Sequence, residues 1–295
     1  MTRALPVRGE PVLPPWIREK KIRLADLHEL KALMRRGSLS TVCEEARCPN
    51  RTECFERKTA TFLIAGDVCT RACGFCHITS GRPKPLDENE PAALVQATRA
   101  LGLRHVVVTS VDRDDLPDGA SHHWAKVVTA LKKDDPTRGV EVLTPDFQGI
   151  AEQIDRVAAA GPDVYNHNVE TVPRLHDTVR PKSDFKRSVD LLARVKARFP
   201  GIGTKSGLML GLGERDDEVL EVFRRLREAA VDVVTVGQYL RPSAWNLPVV
   251  DYATPERFES LRVAGEAMGF SAVFAGPFVR SSYRADEFAP AHGRD

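Results

Sequence analysis

The chain has 295 residues, of which 42% are hydrophobic and 28% are charged, a composition typical of a globular protein and not of a disordered one. The 43 lysine and arginine residues nearly balance the 41 aspartate and glutamate residues, which disfavours a polybasic surface as the main feature. No run approaches the ~18 consecutive apolar residues of a membrane helix, and the N-terminus lacks the apolar core of a secretory signal. We therefore predict a cytoplasmic protein that binds neither nucleic acid nor membranes.

The first 57 residues carry few signals of regular structure. Four prolines within residues 1–15 prevent a helix there and predict an extended arm. Leucines at helical spacing predict a helix over residues 24–34, which Gly37 ends. A first group of cysteines follows, so we expect residues 1–57 to be an N-terminal extension that carries these cysteines.

From residue 58 onward, short β-branched runs alternate with amphipathic helical patterns. The predicted strands are at residues 61–66, 105–110, 140–144, 163–168, 204–210 and 231–236. Among the predicted helices, one starts near Asp184, one has Asp216 as its candidate N-cap, and one begins at Thr254-Pro255. Six such units predict an α/β fold with a parallel sheet, arranged as a partial (β/α)6 barrel over residues 58–270. A full barrel is the alternative, and residues 271–295 are expected to form a C-terminal extension.

All six cysteines lie between residues 43 and 76, in two groups of three. The groups are CX4CX5C, formed by Cys43, Cys48 and Cys54, and CX3CX2C, formed by Cys69, Cys73 and Cys76. Disulfide frameworks are typical of small secreted domains, so metal ligation is the better interpretation. A single zinc ion takes four ligands and would leave two thiols over. Two groups of three thiolates instead suggest two iron–sulfur sites, each with one open position.

Three motifs together resemble the lipoyl synthase family of radical S-adenosylmethionine (SAM) enzymes. The CX3CX2C group, with Phe75 before its last cysteine, resembles the CX3CXΦC motif of the radical SAM superfamily. The CX4CX5C group resembles the auxiliary-cluster signature of lipoyl synthases, and the sequence Arg280-Ser281-Ser282-Tyr283 matches the RSSY motif of that family. The resemblance spans residues 16–284 and implies a barrel of the radical SAM type.

The resemblance implies two [4Fe–4S] clusters and SAM as cofactors. The implied ligands are Cys69, Cys73 and Cys76 for the radical SAM cluster, and Cys43, Cys48, Cys54 and Ser282 for the auxiliary cluster. The implied SAM contacts are Phe75, Thr109, Ser110, Asn168 and Glu170. The run from Gly207 to Glu214 also resembles the family's GxIxGxxE element. The implied radical chemistry needs no catalytic acid or base from the chain.

The implied activity is that of a sulfurtransferase. It inserts two sulfur atoms, at C6 and C8, into an octanoyl chain on a lysine of a lipoyl carrier domain, with the auxiliary cluster as sulfur donor. The implied carriers are E2 subunits of 2-oxoacid dehydrogenases and the glycine cleavage H protein. A ferredoxin or flavodoxin as electron donor and an iron–sulfur carrier protein are further implied partners.

Two alternatives to this activity stay open at the level of the sequence. One is a radical SAM enzyme whose auxiliary cluster only passes electrons, and the other is a non-enzymatic module that binds zinc. We also interpret three histidines as having no role in the site. His122 and His123 are predicted to lie on a solvated surface, and His167 is predicted to be structural.

Overall fold

The computed structural model describes residues 11–18, 40–41, 50, 53–54 and 57–288. The strands are β1 (Ser40–Thr41), β2 (Thr59–Ile64), β3 (Val68–Cys69), β4 (Thr79–Ser80), β5 (His105–Ser110), β6 (Gly139–Leu143), β7 (Val164–Asn166), β8 (Gly203–Leu210), β9 (Val233–Gln238) and β10 (Ala272–Gly276). The main sheet has the order β1-β2-β5-β6-β7-β8-β9-β10, while β3 and β4 pair separately. All neighbours in the main sheet are parallel except β1 and β2.

Helices connect the parallel strands. The helices are α1 (Pro15–Arg18), α2 (Glu90–Ala100), α3 (Ser121–Asp134), α4 (Ala151–Ala159), α5 (His176–Val179), α6 (Phe185–Arg198), α7 (Asp216–Glu228), α8 (Pro255–Ala267) and α9 (Ala285–Phe288). Short 3-10 turns occupy Phe147–Gly149 and Pro173–Leu175. No helix in the described ranges is both long and apolar enough to cross a bilayer.

The sheet has the open, partial-barrel form that the sequence predicts. Each of the six predicted strands occurs within about two residues of its expected position, and a helix of nine or more residues follows each one. The strands β1 and β10 stand at the two ends of the sheet order, so the barrel is not closed. The strand β10 pairs with β9 over Ala272–Gly276, in the segment that the sequence places in the C-terminal extension. The predicted helix over residues 24–34 lies outside the described residues.

The two faces of the sheet differ in chemistry because side chains alternate along each strand. Val140 and Val142 of β6 pack into the main hydrophobic core under the helices. Between them, Glu141 points to the other face, where both its carboxylate oxygens lie 3.2 Å from Nζ of Lys205. Only 0% and 1% of these two side chains are exposed, and Asn166 donates a 2.8 Å hydrogen bond to the same carboxylate. The interior of the barrel therefore contains a buried ion pair.

The first residues of three helices can be compared with the local predictions. The helices α6 and α8 start next to Asp184 and Thr254 as predicted, and the side chains of both residues accept hydrogen bonds from backbone amides there. The prediction for Asp216 is wrong, because Asp216 is the first residue of α7 and Arg215 is its N-cap. Glu218 accepts the Arg215 amide in that cap, so a carboxylate still neutralises the helix start.

The prediction of a solvated surface holds for only one of the two neighbouring histidines. His122 is exposed and contacts Asp118. His123 is buried, and its Nε2 lies 2.5 Å from a carboxylate oxygen of Glu90, the first residue of α2. The surface prediction for His123 is therefore wrong, because contact between α2 and α3 covers this side of the helix.

Candidate functional site

The CX3CX2C cysteines lie in a loop that begins at the end of β3, beyond the carboxyl end of β2. Burial raises the pKa of Cys69, and it raises the pKa of Cys73 to about 12 and of Cys76 to about 11. The charge of Cys76 further raises the pKa of Cys73, and the charge of Cys69 further raises the pKa of Cys76. The three thiols are therefore close enough to affect one another's ionisation. Binding of iron must displace these protons, because thiolate is the form that ligates metal.

The described residues contain no site for a single metal ion. In the parts of the chain that the structure covers, no three His, Cys, Asp or Glu side chains converge on a point as ligands of one metal ion would. A four-iron cluster takes each thiolate at a different iron, so its ligands need not converge in that way. The residues present in this loop therefore fit an iron–sulfur cluster held by three cysteines.

A buried arginine anchors the first half of this loop. Arg71, with 1% of its side chain exposed, donates two 2.7 Å hydrogen bonds to Asp114 and one of 2.8 Å to Asp146. A carboxylate oxygen of Asp112 lies 3.3 Å from the same guanidinium, and the Cys69 thiol lies 3.8 Å from the other oxygen of Asp112. Hydrogen bonds to Arg71 help to hold the pKa values of Asp114 and Asp146 below their usual range. The cysteine loop is thus fixed to the segment that follows β5.

The second half of the loop is clamped by the segment after β9. The side-chain amide of Asn246 donates to the carbonyl of Cys76 at 2.8 Å, and the backbone amide of Leu247 donates to the carbonyl of Gly74 at 2.9 Å. The amide of Gly74 donates in turn to the carbonyl of Val179. Phe75 packs against the small apolar cluster beneath this clamp. The loop conformation therefore depends on residues more than 100 positions away.

Thr109 and Ser110, two of the predicted SAM contacts, end β5 beside the cysteine loop. The Thr109 hydroxyl donates to the carbonyl of Leu143 at 2.8 Å. The Ser110 hydroxyl donates to the carbonyl of Val111 and accepts a 3.2 Å hydrogen bond from the Trp124 indole. Both hydroxyls therefore serve the scaffold, and a direct contact with SAM stays a prediction.

Asn168 and Glu170 follow β7 and lie against β8. Glu170 has a left-handed backbone with φ 67°, held by hydrogen bonds from its amide to Gly207 and from Met209 to its carbonyl, both 2.9 Å. Such strain in a residue other than glycine is typical of functional sites. Burial raises the pKa of Glu170, while the charge of Arg180 and a hydrogen bond from Asn168 oppose the rise.

The Asn168 side chain has one free polar atom. Its amide nitrogen is engaged, whereas its buried carbonyl oxygen has no hydrogen-bond partner. A Cβ at Gly207 would lie only 2.9 Å from this oxygen, so the glycine leaves the space it occupies. A buried acceptor without a partner is costly, and a ligand hydroxyl is one group that would satisfy it. The position therefore fits a ligand that carries hydroxyl groups, such as the ribose of SAM.

Asn50, Glu53 and Arg57 contact the segment that carries the RSSY sequence. The Asn50 amide donates to the carbonyl of Phe278 at 2.5 Å, and the Tyr283 hydroxyl lies 3.0 Å from a carboxylate oxygen of Glu53. Arg57 donates to both Asp286 and Glu287. Cys54 directly follows Glu53 in the sequence, and Ser282 directly precedes Tyr283. Cys43 and Cys48 lie outside the described residues.

The family profile described as "Radical SAM superfamily" matches residues 63–236. Over 273 residues, the chain is 54% identical to the lipoyl synthase of Caldanaerobacter subterraneus subsp. tengcongensis, covering 92% of this chain and 95% of that protein. It is 53% identical to the lipoyl synthase of Syntrophotalea carbinolica, covering 92% of this chain and 89% of that protein. The chain belongs to the lipoyl synthase family. Membership in this radical SAM family assigns it SAM and a [4Fe–4S] cluster as cofactors.

Two solved structures of other proteins are similar in fold to this chain. Methylornithine synthase (PylB) matches with a TM-score of 0.55 at 15% identity, covering 85% of this chain and 75% of that chain. The [FeFe]-hydrogenase maturase HydG matches with a TM-score of 0.56 at 16% identity, covering 85% and 56%. At such low identity these similarities concern the fold alone. They agree with the partial barrel of this lipoyl synthase family member.

Three residues that shape the site carry no assigned role in the sequence motifs. Asp112 and Arg71 flank the Cys69 thiol. The positive charge of Arg180 acts to lower the pKa of Cys73. The Arg180 guanidinium also donates to the backbone carbonyl of Asn168 at 2.7 Å. The positions of Asp112 and Asp114 just after a predicted strand were one available signal, since side chains at strand ends meet at one edge of a parallel sheet. Nothing in the local sequence around Arg180 points to this role.

Replacing Gly207 with alanine is expected to damage the nucleoside side of the site. The added Cβ would lie 2.4 Å from Oγ1 of Thr235 and 2.9 Å from Oδ1 of Asn168, so the strands must shift. We expect the free energy of unfolding to fall by about 1–3 kcal/mol, because overpacking forces such shifts. We also expect weaker binding of S-adenosylhomocysteine, measured by equilibrium dialysis.

Gly201→Ala is the matched control, because a Cβ at Gly201 meets no atom within 4 Å and its backbone is not left-handed. This control should leave both unfolding and binding unchanged. Equal behaviour of the two alanine variants would contradict the role of Gly207.

Proposed function

We infer that the protein acts as a lipoyl synthase, inserting sulfur at C6 and C8 of an octanoyl group carried on a lysine of a lipoyl domain. The observation that carries this inference is the contact of Asn50, Glu53 and Arg57 with residues 278–287, which brings the sequence neighbours of Cys54 and Ser282 together. An auxiliary cluster that only transfers electrons has no need of a weak serine ligand. A cluster that must give up sulfur does, because such a ligand is easily displaced.

Cys69, Cys73 and Cys76 would hold the radical SAM cluster. When bound, the cluster and SAM supply the electron and the 5′-deoxyadenosyl radical that break unactivated C–H bonds. The chain contributes positioning. The salt bridges of Arg71 fix the cysteine loop, and Phe75 lies within it. We assign Asn168 and Glu170 to the ribose, because an amide oxygen and a carboxylate accept hydrogen bonds from two hydroxyls. Thr109 and Ser110 are assigned to the methionine side.

Cys43, Cys48, Cys54 and Ser282 would hold the auxiliary [4Fe–4S] cluster, which would supply the sulfur. Ser282 would ligate through an alkoxide oxygen, a harder ligand than thiolate and a poorer match for iron in a sulfide cluster. Ser282 would therefore be displaced from its iron more readily than a fourth cysteine. The contacts of Asn50 and Tyr283 hold the two ends of the chain together at this point.

The barrel interior contributes exclusion of water. The side chains of Glu141 and Lys205 are buried as a pair on the face of the sheet opposite the main core, and the ring of Phe288 lies beside Gly203 at the start of β8. Radicals react with solvent and oxygen, so buried side chains below the site would help to protect them.

The proposed partners follow from this chemistry. Octanoylated lipoyl domains of E2 subunits and the glycine cleavage H protein are the substrates. A ferredoxin or flavodoxin supplies electrons, and an iron–sulfur carrier protein rebuilds the consumed cluster. The cytoplasmic location and the absence of nucleic-acid and membrane partners, expected from the sequence, stay predictions.

The first experiment is the measurement of iron and acid-labile sulfide per chain after anaerobic reconstitution, combined with mass analysis of an octanoyl-lysine peptide after turnover. About eight of each atom and a peptide with two added sulfur atoms support the proposal. About four of each atom would mean that the protein carries one cluster and would contradict the proposed auxiliary cluster. Two full clusters with 5′-deoxyadenosine but no sulfur in the peptide would favour an auxiliary cluster that only passes electrons. Bound zinc in protein kept free of oxygen would favour the binding module.

Replacing Ser282 with cysteine tests the displaceable ligand. Thiolate holds iron more strongly than alkoxide does, so we expect full iron content and at least about tenfold slower sulfur insertion, which equals about 1.4 kcal/mol in the barrier. Ser260→Cys, at an exposed position on α8, controls for an added thiol. Sulfur insertion at the parental rate in the Ser282 variant would show that this ligand is not displaced.

A further inference from the structure

The first serine of the RSSY sequence is joined to the nucleoside side of the site. Asn168 follows β7 with 7% of its surface exposed. Its side-chain amide donates to Oε1 of Glu170 at 3.1 Å and to Oγ of Ser281 at 2.5 Å. A primary amide has two N–H donors, so these two contacts use both of them.

This arrangement leaves Asn168 with one available group, its carbonyl oxygen, which is buried and has no hydrogen-bond partner. The two amide contacts fix the side-chain plane and hence the direction of that oxygen. Gly207 leaves room for it, since a Cβ there would come within 2.9 Å. The hydroxyl of Ser281 therefore helps to orient the acceptor that we assign to the SAM ribose.

The segment around Ser281 is held on both sides. The carbonyl oxygen of Val279 lies 2.3 Å from where a Cβ of Gly237 would be, so the two backbones are in close contact. On the other side, the Tyr283 hydroxyl contacts Glu53. Ser282, the assigned auxiliary ligand, lies between Ser281 and Tyr283. A shift of Ser281 must therefore also move Ser282.

We propose that Ser281 is a positioning residue that couples nucleoside binding at Asn168 to the coordination by Ser282. The inference rests on the proposed function, which assigns Asn168 to SAM and Ser282 to the auxiliary cluster. When a ribose hydroxyl donates to the Asn168 carbonyl oxygen, the hydrogen bond from the Asn168 amide to Ser281 changes in geometry. The backbone that joins Ser281 to Ser282 transmits this change.

The test compares Ser281→Ala, Ser281→Thr and Asn168→Ala with the parent protein, each carrying both reconstituted clusters. The probe is S-adenosylhomocysteine, which contains the ribose and cannot generate the radical. Its dissociation constant is measured by equilibrium dialysis. Hydrogen–deuterium exchange of the peptide over residues 278–288 is then measured with and without the probe. Ser260→Ala is the control, since its hydroxyl contacts only the backbone of its own helix.

In the parent protein and in Ser281→Thr, which keeps the hydroxyl, the probe should change exchange in this peptide. In Ser281→Ala we expect binding to weaken about fivefold to tenfold, the effect of one lost hydrogen bond, and the exchange response to disappear. Because Ser281 acts through Asn168, adding Ser281→Ala to Asn168→Ala should not weaken binding further.

Parental binding and an unchanged exchange response in Ser281→Ala would overturn the proposal, as would a parent protein that does not bind the probe. Additive losses in the double variant would also overturn it. Sulfur insertion into the octanoyl-lysine peptide is measured in parallel on the parent protein. A parent that shows the coupled exchange response but inserts no sulfur would contradict the proposed function and leave the coupling in place.

Discussion

Replacing Cys69 with alanine is expected to abolish cleavage of SAM, whereas replacing Cys54 with alanine is expected to spare it and to abolish sulfur insertion. Cys69 lies in the loop fixed by Arg71, while Cys54 lies in the segment joined to residues 278–287. The two thiols belong to separately anchored parts of the chain, so loss of one cluster should leave the other in place. Cys43→Ala should behave like Cys54→Ala.

The measurement is 5′-deoxyadenosine and thiolated peptide per chain by mass spectrometry, with iron content as the check on cluster loading. Each variant serves as the control for the other, since each loses one thiol and about half of the iron. Loss of 5′-deoxyadenosine formation in the Cys54 variant as well would mean that the two sites do not have separate roles.

Replacing Lys205 with methionine is expected to lower the free energy of unfolding by about 3–5 kcal/mol, because it leaves the buried Glu141 carboxylate without a countercharge. The hydrogen bond from Asn166 satisfies only part of that carboxylate. Combining Lys205→Met with Glu141→Leu should restore much of the loss, since a well-packed apolar pair replaces a buried ion pair at little cost.

The measurement is the denaturation midpoint of anaerobic protein with matched iron content. Lys186→Met is the matched control, because Lys186 and its partner Asp190 are both exposed and such pairs contribute little. If Lys205→Met and Lys186→Met unfold alike, the interior ion pair has no structural role.

The sequence predicts the strands well because each one is encoded locally. The β-branched run at residues 105–110 and the run at residues 231–236 both need burial in a parallel sheet, and both occur as strands within about two residues of the prediction. The strand predicted to end at Asn168 ends instead at Asn166, because Asn168 and Glu170 turn towards β8. This difference lies at the candidate site, where the backbone is set by contacts with β8 and not by the local preference of the sequence for a strand.

Contacts between distant residues could not be predicted. The burial of His123 requires Glu90 from another helix, and the cap of α7 uses Glu218 in place of Asp216. The network of Arg71 depends on carboxylates 43 and 75 positions away. Periodicity and composition report which residues are buried or capped on average, but they contain no information about which distant side chains meet.

The contact between the two ends of the chain sets the order in which the protein can be completed during synthesis. The Asn50–Phe278 and Glu53–Tyr283 pairs join residues 228 and 230 positions apart. Within the described residues, the backbone and side-chain anchors named above for the CX3CX2C loop reach as far as Leu247, so these contacts can form before residues 278–283 are synthesised. The proposed auxiliary ligands Cys54 and Ser282 can come together only after residue 283 has been added. A growing chain that has not reached this point would therefore have the CX3CX2C loop anchored, while the proposed auxiliary site would still lack Ser282.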